Sequence, residues 1–554
     1  MAPQHRDHRR GAARRRALLT VLAGTLALLT VACRPIQPIE PPPERQDVTG
    51  ELIEGRAVQE GGDLVMALSS EPDGLDPTTS SSLYTRYVMS SICEKLYDID
   101  PAGEIVPQLA AEMPTFSDGG RTVTIPLREG ITFADGEPFD AEAVRTTLDR
   151  HLNHELSSRA GELGPITDIE AVDERTVRLT YDEPFAPLTA SLADRAGMIM
   201  SPAALEELGD DFASNPVCVG PFKFVERVPQ TSITVERDPR YYAADEVRLD
   251  TITYRIITDA NIRSANLRSG DVQVADTISP QDVDALRRED GIGVLQVGSY
   301  GYQALTVNLG NVDGAGTPPG RIEGPLANDP RVREALSASI DREALVNSTF
   351  NNWHEPACSP ISPDSRFSTP ASEACPEHDP ERARRLLEEA GVQTPFPVHV
   401  KVADAQDGIR LAQALQASVA EGGFAMTIEA VEYSTLLDEY ARGDFEAFLG
   451  GWSGRVDPHG NMFDFLTTGG SNNYAGYSHP QVDELMTAAT RTTDPAERAQ
   501  TYGEVVTQVQ EDNPIIYLYR LRNLTGYTED VAGVETYADG VVRLSRAAFL
   551  AEED

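Results

Sequence analysis

Residues 62–77 read GDLVMALSSEPDGLDP. The run from Asp63 to Leu68 has the length and apolar content of a buried strand. Ser69, Ser70, Pro72 and the Asp73-Gly74 pair then break it into a loop. The same unit, a short strand released into a turn-rich loop, recurs downstream. Residues 121–127 (RTVTIPL), 176–180 (TVRLT), 232–236 (SITVE) and 251–257 (TITYRII) alternate with period two. Residues 303–308 (QALTVN), 398–402 (VHVKV) and 515–519 (IIYLY) are further strand candidates. Helices announce themselves by their starts. Asp329-Pro330, Asp379-Pro380 and Asp494-Pro495 each set a capping carboxylate before a proline, whose missing N–H costs nothing in the first turn. Val332, Ala335, Leu336 and Ile340 share one face of the first helix, and Ala383, Leu386, Leu387 and Ala390 one face of the second, which Gly391 stops. The third runs to Asn513-Pro514. Strands and helices mix throughout without a solenoid repeat, so the body is α/β.

The chain has 554 residues, 40% of them hydrophobic, with 88 acidic against 47 basic side chains and a net charge of −41. That length predicts about two to four domains. Such acidity argues against nucleic-acid binding and against adhesion to anionic lipid through basic charge. Only one apolar run approaches membrane length, so a polytopic membrane protein is excluded.

That run lies at the start. Arg6, Arg9, Arg10, Arg14, Arg15 and Arg16 precede the uncharged stretch 17–32, ALLTVLAGTLALLTVA, and Cys33 follows. A basic stretch, a short apolar run and small residues describe an export signal. Residues 28–33 (LLTVAC) resemble a bacterial lipoprotein cleavage box, with Thr30 where Leu is usual, and imply lipidation of Cys33 after removal of 1–32. An uncleaved anchor and a plain signal peptide are the alternatives. Arg15-Arg16 also looks a little like a twin-arginine signal. Cleavage would take the net charge from −41 to −46, because six Arg and one Asp leave. Residues 33–60, with Pro35, Pro38, Pro41, Pro42 and Pro43, read as an extended tether.

Four further cysteines remain: Cys93, Cys218, Cys358 and Cys375. An even number outside the cell predicts two disulfides, with three possible connectivities. Cys358 and Cys375 flank a Pro- and Ser-rich loop and are paired on that ground, which leaves Cys93 with Cys218. Free buried thiols are the alternative, and the spacings match no zinc pattern.

The order of motifs resembles the extracytoplasmic solute-binding proteins of family 5, which serve dipeptide, oligopeptide and nickel ABC importers. The resemblance rests on Gly62 to Leu64 with Pro72 to Pro77, on Glu94 to Tyr97, Gln108 to Ala110 and Leu127-Arg128, and on Phe133 to Gly136. It continues at Val219 to Phe224, Asp238 to Tyr242, Leu267 to Asp271, Asp329 to Leu336, Gly451 to Gly454 and Asp457-Pro458. It covers about 61–520. It implies a periplasmic-binding-protein-like fold of type II: two lobes about a hinge, with a third domain inserted in the first. By position, domain I gathers 61–90, 214–299 and 511–554, domain II is 91–213, and domain III is 300–510. It implies a monomeric, lipid-anchored, non-enzymatic protein outside the bacterial cell membrane. Its partners would be a small, peptide-like solute and the permease and ATPase subunits of an importer, with no cofactor and no nucleic acid.

Candidate ligand contacts follow from that resemblance. Residues 450–460 read GGWSGRVDPHG. In the dipeptide-binding branch an Asp after the Trp-x-Gly pairs with the ligand's amine. Here Arg455 takes that slot, so the charge is reversed and a ligand with an anionic group, or one lacking a free α-amine, is expected, unless Arg455 pairs with a protein carboxylate such as Asp457. Asp457 is either a ligand contact or a helix cap before Pro458. Trp452 and Ser453 sit on the same Gly-flanked loop, where an aromatic can stack on ligand or pack the hinge. Asn473 and Tyr474 lie in a second flexible loop, Tyr84 and Arg86 follow the first strand-loop, and Tyr302 with Gln303 opens domain III.

Catalytic and metal signals are weak. His151 and His154 lack a metal motif and are expected as a solvated pair. Trp452-Ser453-Gly454 looks like part of a nucleophile elbow, but Arg455 stands where its second Gly must be. Two rival readings remain: a lipid-anchored secreted hydrolase, and the same fold binding nickel or haem or acting as a sensor.

Overall fold

A computed structural model describes residues 46–50, 53 and 55–551. The signal stretch 1–32 and Cys33 lie outside the described residues. Among the described residues no helix is long and apolar enough to cross a membrane.

Three sheets organise the body at 46–551. The first has seven strands in the order Ile292–Val297, Asn523–Thr528, Val274–Ala275, Asp63–Leu68, Thr251–Ile256, Ser232–Arg237, Phe222–Val228. Asp63–Leu68 is central and pairs in parallel with Thr251–Ile256. This explains its run of buried residues, since a strand covered on both faces has no polar side. The second sheet has four antiparallel strands, Thr115–Ser117, Thr122–Pro126, Thr176–Tyr181 and Ile166–Asp173. Its period-two segments bury alternate residues, as at Val123 and Ile125. The third has six strands in the order Glu355–Pro356, Ile515–Arg520, Tyr302–Val307, Ala447–Trp452, Phe396–Ala403, Phe424–Val431. Each sheet has its own buried cluster.

The predicted helix starts appear as caps. The side chains of Asp329, Asp379 and Asp494 accept the amides of Arg331, Arg382 and Ala496. Each cap of this kind contributes about 1 kcal/mol. Cys93 and Cys218 are bonded, as are Cys358 and Cys375, with Cα atoms 4.9 and 5.1 Å apart.

Three expectations need adjustment. Ile515–Arg520, placed with 511–554 in domain I, pairs instead with Tyr302–Val307 in the six-stranded sheet. A run of apolar residues shows that a strand is buried but not which sheet receives it. The stretch 33–60 does not read as tether throughout. Val48 exchanges backbone hydrogen bonds with Gln296 (2.7 and 3.1 Å), and Asp47 pairs with Arg522. These contacts cover an otherwise open sheet edge. His151 is fully buried, with Nδ1 3.0 Å from the Thr78 hydroxyl, rather than solvated. Burial holds its pKa well below the usual range, with Arg159 and Arg150 adding to the effect.

Candidate functional site

The six-stranded sheet delivers Trp452 at the end of Ala447–Trp452. Gly450 and Gly451 precede it: a Cβ on Gly450 would press on the Phe448 ring at 2.7 Å, and one on Gly451 would lie 2.3 Å from the Tyr302 carbonyl oxygen of the neighbouring strand. Gly454 turns the chain at a φ of +90°, and a Cβ there would meet the Gly301 nitrogen at 2.3 Å. The tight turn sets the Arg455 guanidinium over the Trp452 ring, 4.3 Å from its centroid. The indole donates to the Gly460 carbonyl at 3.0 Å.

Trp452 lines two adjoining cavities, of about 280 Å³ and about 50 Å³. The walls of the larger come from both large sheets and their loops. Tyr84, Thr277, Ile278 and Thr525 stand on one side, and Gln303, Asp407, Leu411, Tyr433 and Ser453 on the other. The smaller is lined by Tyr302, Tyr440, Phe448, Phe465, Asn472 and Tyr474, with Ser81 shared by both. Its rings pack on each other. Tyr440 stacks on Phe448 at 4.1 Å, and Trp452 meets Phe465 at 4.9 Å. Tyr84 and Tyr433 meet edge to face at 5.6 Å across the gap between the two sheets. Aromatic walls with few polar groups are the usual character of a small-molecule site.

The Tyr84 hydroxyl lies 3.1 Å from Ser69 Oγ, which donates to Asp276 at 2.8 Å. Burial and the Asp276 charge push the Tyr84 phenol up to about 12. Burial pushes Asp276 up to about 6, against Arg263, whose Nε is 3.9 Å away.

Arg86 and Arg455 belong to an ion network behind Ser453. Asp194, on the inserted segment that carries the four-stranded sheet, accepts Arg86 Nε at 3.0 Å through one oxygen and pairs with Arg455 Nε through the other. Arg86 also donates to the Asp539 carboxylate at 3.1 Å and to Ser453 Oγ at 3.3 Å. Arg86, Asp194 and Arg455 are all less than a tenth exposed. Burial alone would raise the Asp194 pKa, but Arg455, Arg86 and Arg195 together hold it well below the carboxylate range. Burial lowers Arg455 to about 10, with Asp194 opposing. The network therefore joins three parts of the body at one point. Ala186 N–H to Thr490 O (2.8 Å) and the Phe185–His459 ring contact (5.2 Å) join the inserted segment to the last part nearby.

The structure thus brings Tyr84, Tyr302, Trp452, Ser453 and Tyr474 to the cavities, together with Gln303. Arg455 meets a protein carboxylate, and that carboxylate is Asp194 rather than Asp457. Asp457 takes Arg498 in a two-pronged pair (2.6 and 2.8 Å) and accepts the His459 amide at 2.9 Å. Asn473 spends its amide on Thr467, Tyr477 and its own loop, and Asn472 lines the cavity instead. Tyr433, Tyr440, Phe448 and Asp194 were not anticipated. Tyr433, Tyr440 and Phe448 have the helical and strand periodicity of ordinary core residues, and Asp194 is one acid among many before a short turn, so nothing local marks them. Among the described residues no group of three His, Cys, Asp or Glu is close enough to hold a metal ion.

Residues 104–474 match the model of the bacterial extracellular solute-binding proteins, family 5 (middle). The chain is 30% identical over 484 residues to the glutathione-binding protein GsiB of Salmonella paratyphi A, covering 85% of this chain and 91% of that one. It is 29% identical over 489 residues to GsiB of Pectobacterium atrosepticum, covering 86% and 92%. Among solved structures, the periplasmic binding protein AgaA of A. tumefaciens R10 in complex with agropinic acid superposes with a TM-score of 0.79 at 26% identity, covering 89% of this chain and 99% of AgaA. The murein tripeptide binding protein MppA of Escherichia coli superposes at 0.81 with 21% identity, covering 90% and 100%. The fold is the type II periplasmic-binding-protein class these structures share.

Proposed function

The chain belongs to the bacterial extracellular solute-binding proteins of family 5, and on that footing we propose that it captures a peptide or peptide-like solute between its lobes and hands it to an ABC importer. One observation carries the reading. An aromatic-walled cavity is closed on one side by the seven-stranded body and on the other by the six-stranded body, and the two meet directly at Tyr84 and Tyr433. A solute that touches both walls stabilises the closed arrangement by its differential affinity for it. The membrane subunits of an importer would then read closure.

The lobes we assign are 61–90, 214–299 and 521–551 for the first, 91–213 for the inserted domain, and 300–520 for the third. Trp452, Ser453, Tyr84, Tyr302 and Tyr474 are the proposed ligand contacts, and Arg86, Arg455 and Asp457 support them from behind. The protein acts as a monomer, turns nothing over, and is moored outside the cell by lipid on Cys33. The LLTVAC box supports that anchor, and Cys33→Ser is expected to move the protein from the membrane to the soluble fraction.

The test uses glutathione, suggested by the GsiB relatives, and a panel of tripeptides. Binding is read by thermal shift and by tryptophan fluorescence, and each solute is recovered for mass spectrometry. Capture predicts a raised melting temperature, a more compact scattering profile and an intact solute. Recovery of a cleaved solute, or no response across the panel, would overturn it.

A further inference from the structure

Tyr84, on the wall of the larger cavity, is the outer end of a hydrogen-bonded chain that runs inward to a carboxylate. Its hydroxyl lies 3.1 Å from Ser69 Oγ, and Ser69 Oγ lies 2.8 Å from Asp276 Oδ2. Among the described residues Ser69 is the one hydrogen-bond partner of that hydroxyl. Ser69 and Asp276 do not line the cavity, and Asp276 is fully buried. The fold sets this order. Asp63–Leu68 releases the chain at Ser69, the parallel strand Val274–Ala275 beside it delivers Asp276, and the helix Leu83–Ile92 carries Tyr84.

A chain of hydroxyls has a direction, because each hydroxyl holds one hydrogen. With Asp276 ionised, Ser69 donates to the carboxylate. Its hydrogen is then spent, so Tyr84 donates to Ser69. The Tyr84 oxygen is left with lone pairs only and meets the cavity as an acceptor. One proton on Asp276 Oδ2 reverses every bond. The carboxyl donates to Ser69, Ser69 donates to Tyr84, and the Tyr84 hydrogen swings to the cavity as a donor.

The surroundings of Asp276 put this reversal within reach of mild acid. Arg263, on the helix Ala260–Ser269, faces it with Nε at 3.9 Å, beyond hydrogen-bond distance. Its two Nη groups are spent on the carbonyls of Ile257, Thr258 and Thr277. Tyr84 and Tyr87 face Asp276 from the helix Leu83–Ile92. So loose a pair does not cancel burial, which pushes Asp276 up to about 6. The Tyr84 phenol, pushed up to about 12, keeps its hydrogen throughout.

We propose that Ser69 and Asp276 set the hydrogen-bonding polarity of Tyr84, so that at neutral pH the cavity selects a solute presenting a hydrogen-bond donor there, such as a peptide N–H, and loses that preference when Asp276 takes up a proton. The proposal rests on the solute-capture reading and adds the group that a solute must offer at Tyr84. Ser69 and Asp276 are positioning residues, since both act through Tyr84.

The test measures the affinity of glutathione and of trialanine at pH 5 and pH 7 by titration calorimetry, on the intact wild-type protein, Tyr84→Phe and Ser69→Ala. The wild type is expected to bind about two- to tenfold more weakly at pH 5, the range that one net hydrogen bond gives. Both variants are expected to lack that difference. Their profiles also carry the titration of the solutes and of Asp464, which burial pushes up to about 7, so subtracting them isolates the chain. Asp276→Asn replaces Ser69→Ala if the latter fails to fold, since an amide does not titrate. An unchanged wild-type affinity, tighter binding at pH 5, or the same loss in the variants would overturn the polarity control and leave solute capture standing. No binding of either probe at either pH would overturn both.

Discussion

Replacing Arg455 with Gln tests whether the ion pair to Asp194 latches the closed protein. Arg455 and Asp194 come from different lobes in the proposed division, so their bond exists only when those lobes are shut. Both are nearly fully buried. A hydrogen bond to a charged group contributes about 1.5–3 kcal/mol net. Asp194 is not left bare by the change, because Arg86 at 3.0 Å and the Arg195 amide at 2.8 Å still hold its other oxygen. The full penalty for an orphaned buried charge therefore does not apply. What is lost is part of the free energy favouring closure. Apparent affinity scales with the population of the closed state, so about 1.5–3 kcal/mol becomes a loss of about 10- to 150-fold for every solute, acid or neutral alike. Titration calorimetry with glutathione and with whichever tripeptide binds best measures it, and small-angle scattering at saturating solute follows closure. The melting temperature of the solute-free protein should move little. An affinity within twofold of wild type, with closure intact, would refute the latch.

Three further outcomes follow from the geometry. Changing Cys93 and Cys218 together to Ser frees a loop spanning 125 residues, and on chain-entropy grounds should lower stability by about 2–5 kcal/mol; denaturant unfolding would show it, and an unchanged midpoint would speak against a stabilising bridge. Gly451→Ala forces a Cβ to within 2.3 Å of the Tyr302 carbonyl oxygen, so the strands must part; a loss of about 1–3 kcal/mol and weaker solute binding are expected, whereas a fully stable, fully binding variant would show the approach to be slack. Asp276 holds its proton up to about pH 6 when folded, against 3.8 as its ordinary value. Its contribution to stability is therefore fully present below pH 4 and lost as pH rises through 6, by about 3 kcal/mol at most. Asp276→Asn should flatten that decline in urea titrations run at pH 4 and pH 7; an identical slope in both proteins would rule out Asp276 as its source.

Much of this protein could be read from local stretches of the chain. Asp-Pro helix starts, period-two strands and the Gly-flanked Trp452 loop depend on neighbours a few residues away, and capping and side-chain alternation act at that range. The motif order from Gly62 to Pro458 carried the family, and through it the lobed fold. The partner of Arg455 could not be read that way. Its sequence context offered Asp457, two residues on, yet Asp457 turns to Arg498 and accepts the His459 amide, while Arg455 reaches Asp194 on the inserted domain. Tyr433, Tyr440 and Phe448 carry the periodicity of core residues and became cavity wall only because two sheets meet there. Ile515–Arg520 joined the third sheet rather than the first for the same reason. Which buried charge finds which partner, and which apolar face is left open to a solute, is set by packing between distant segments, where the cost of an unpaired charge is felt only after the chain has come together.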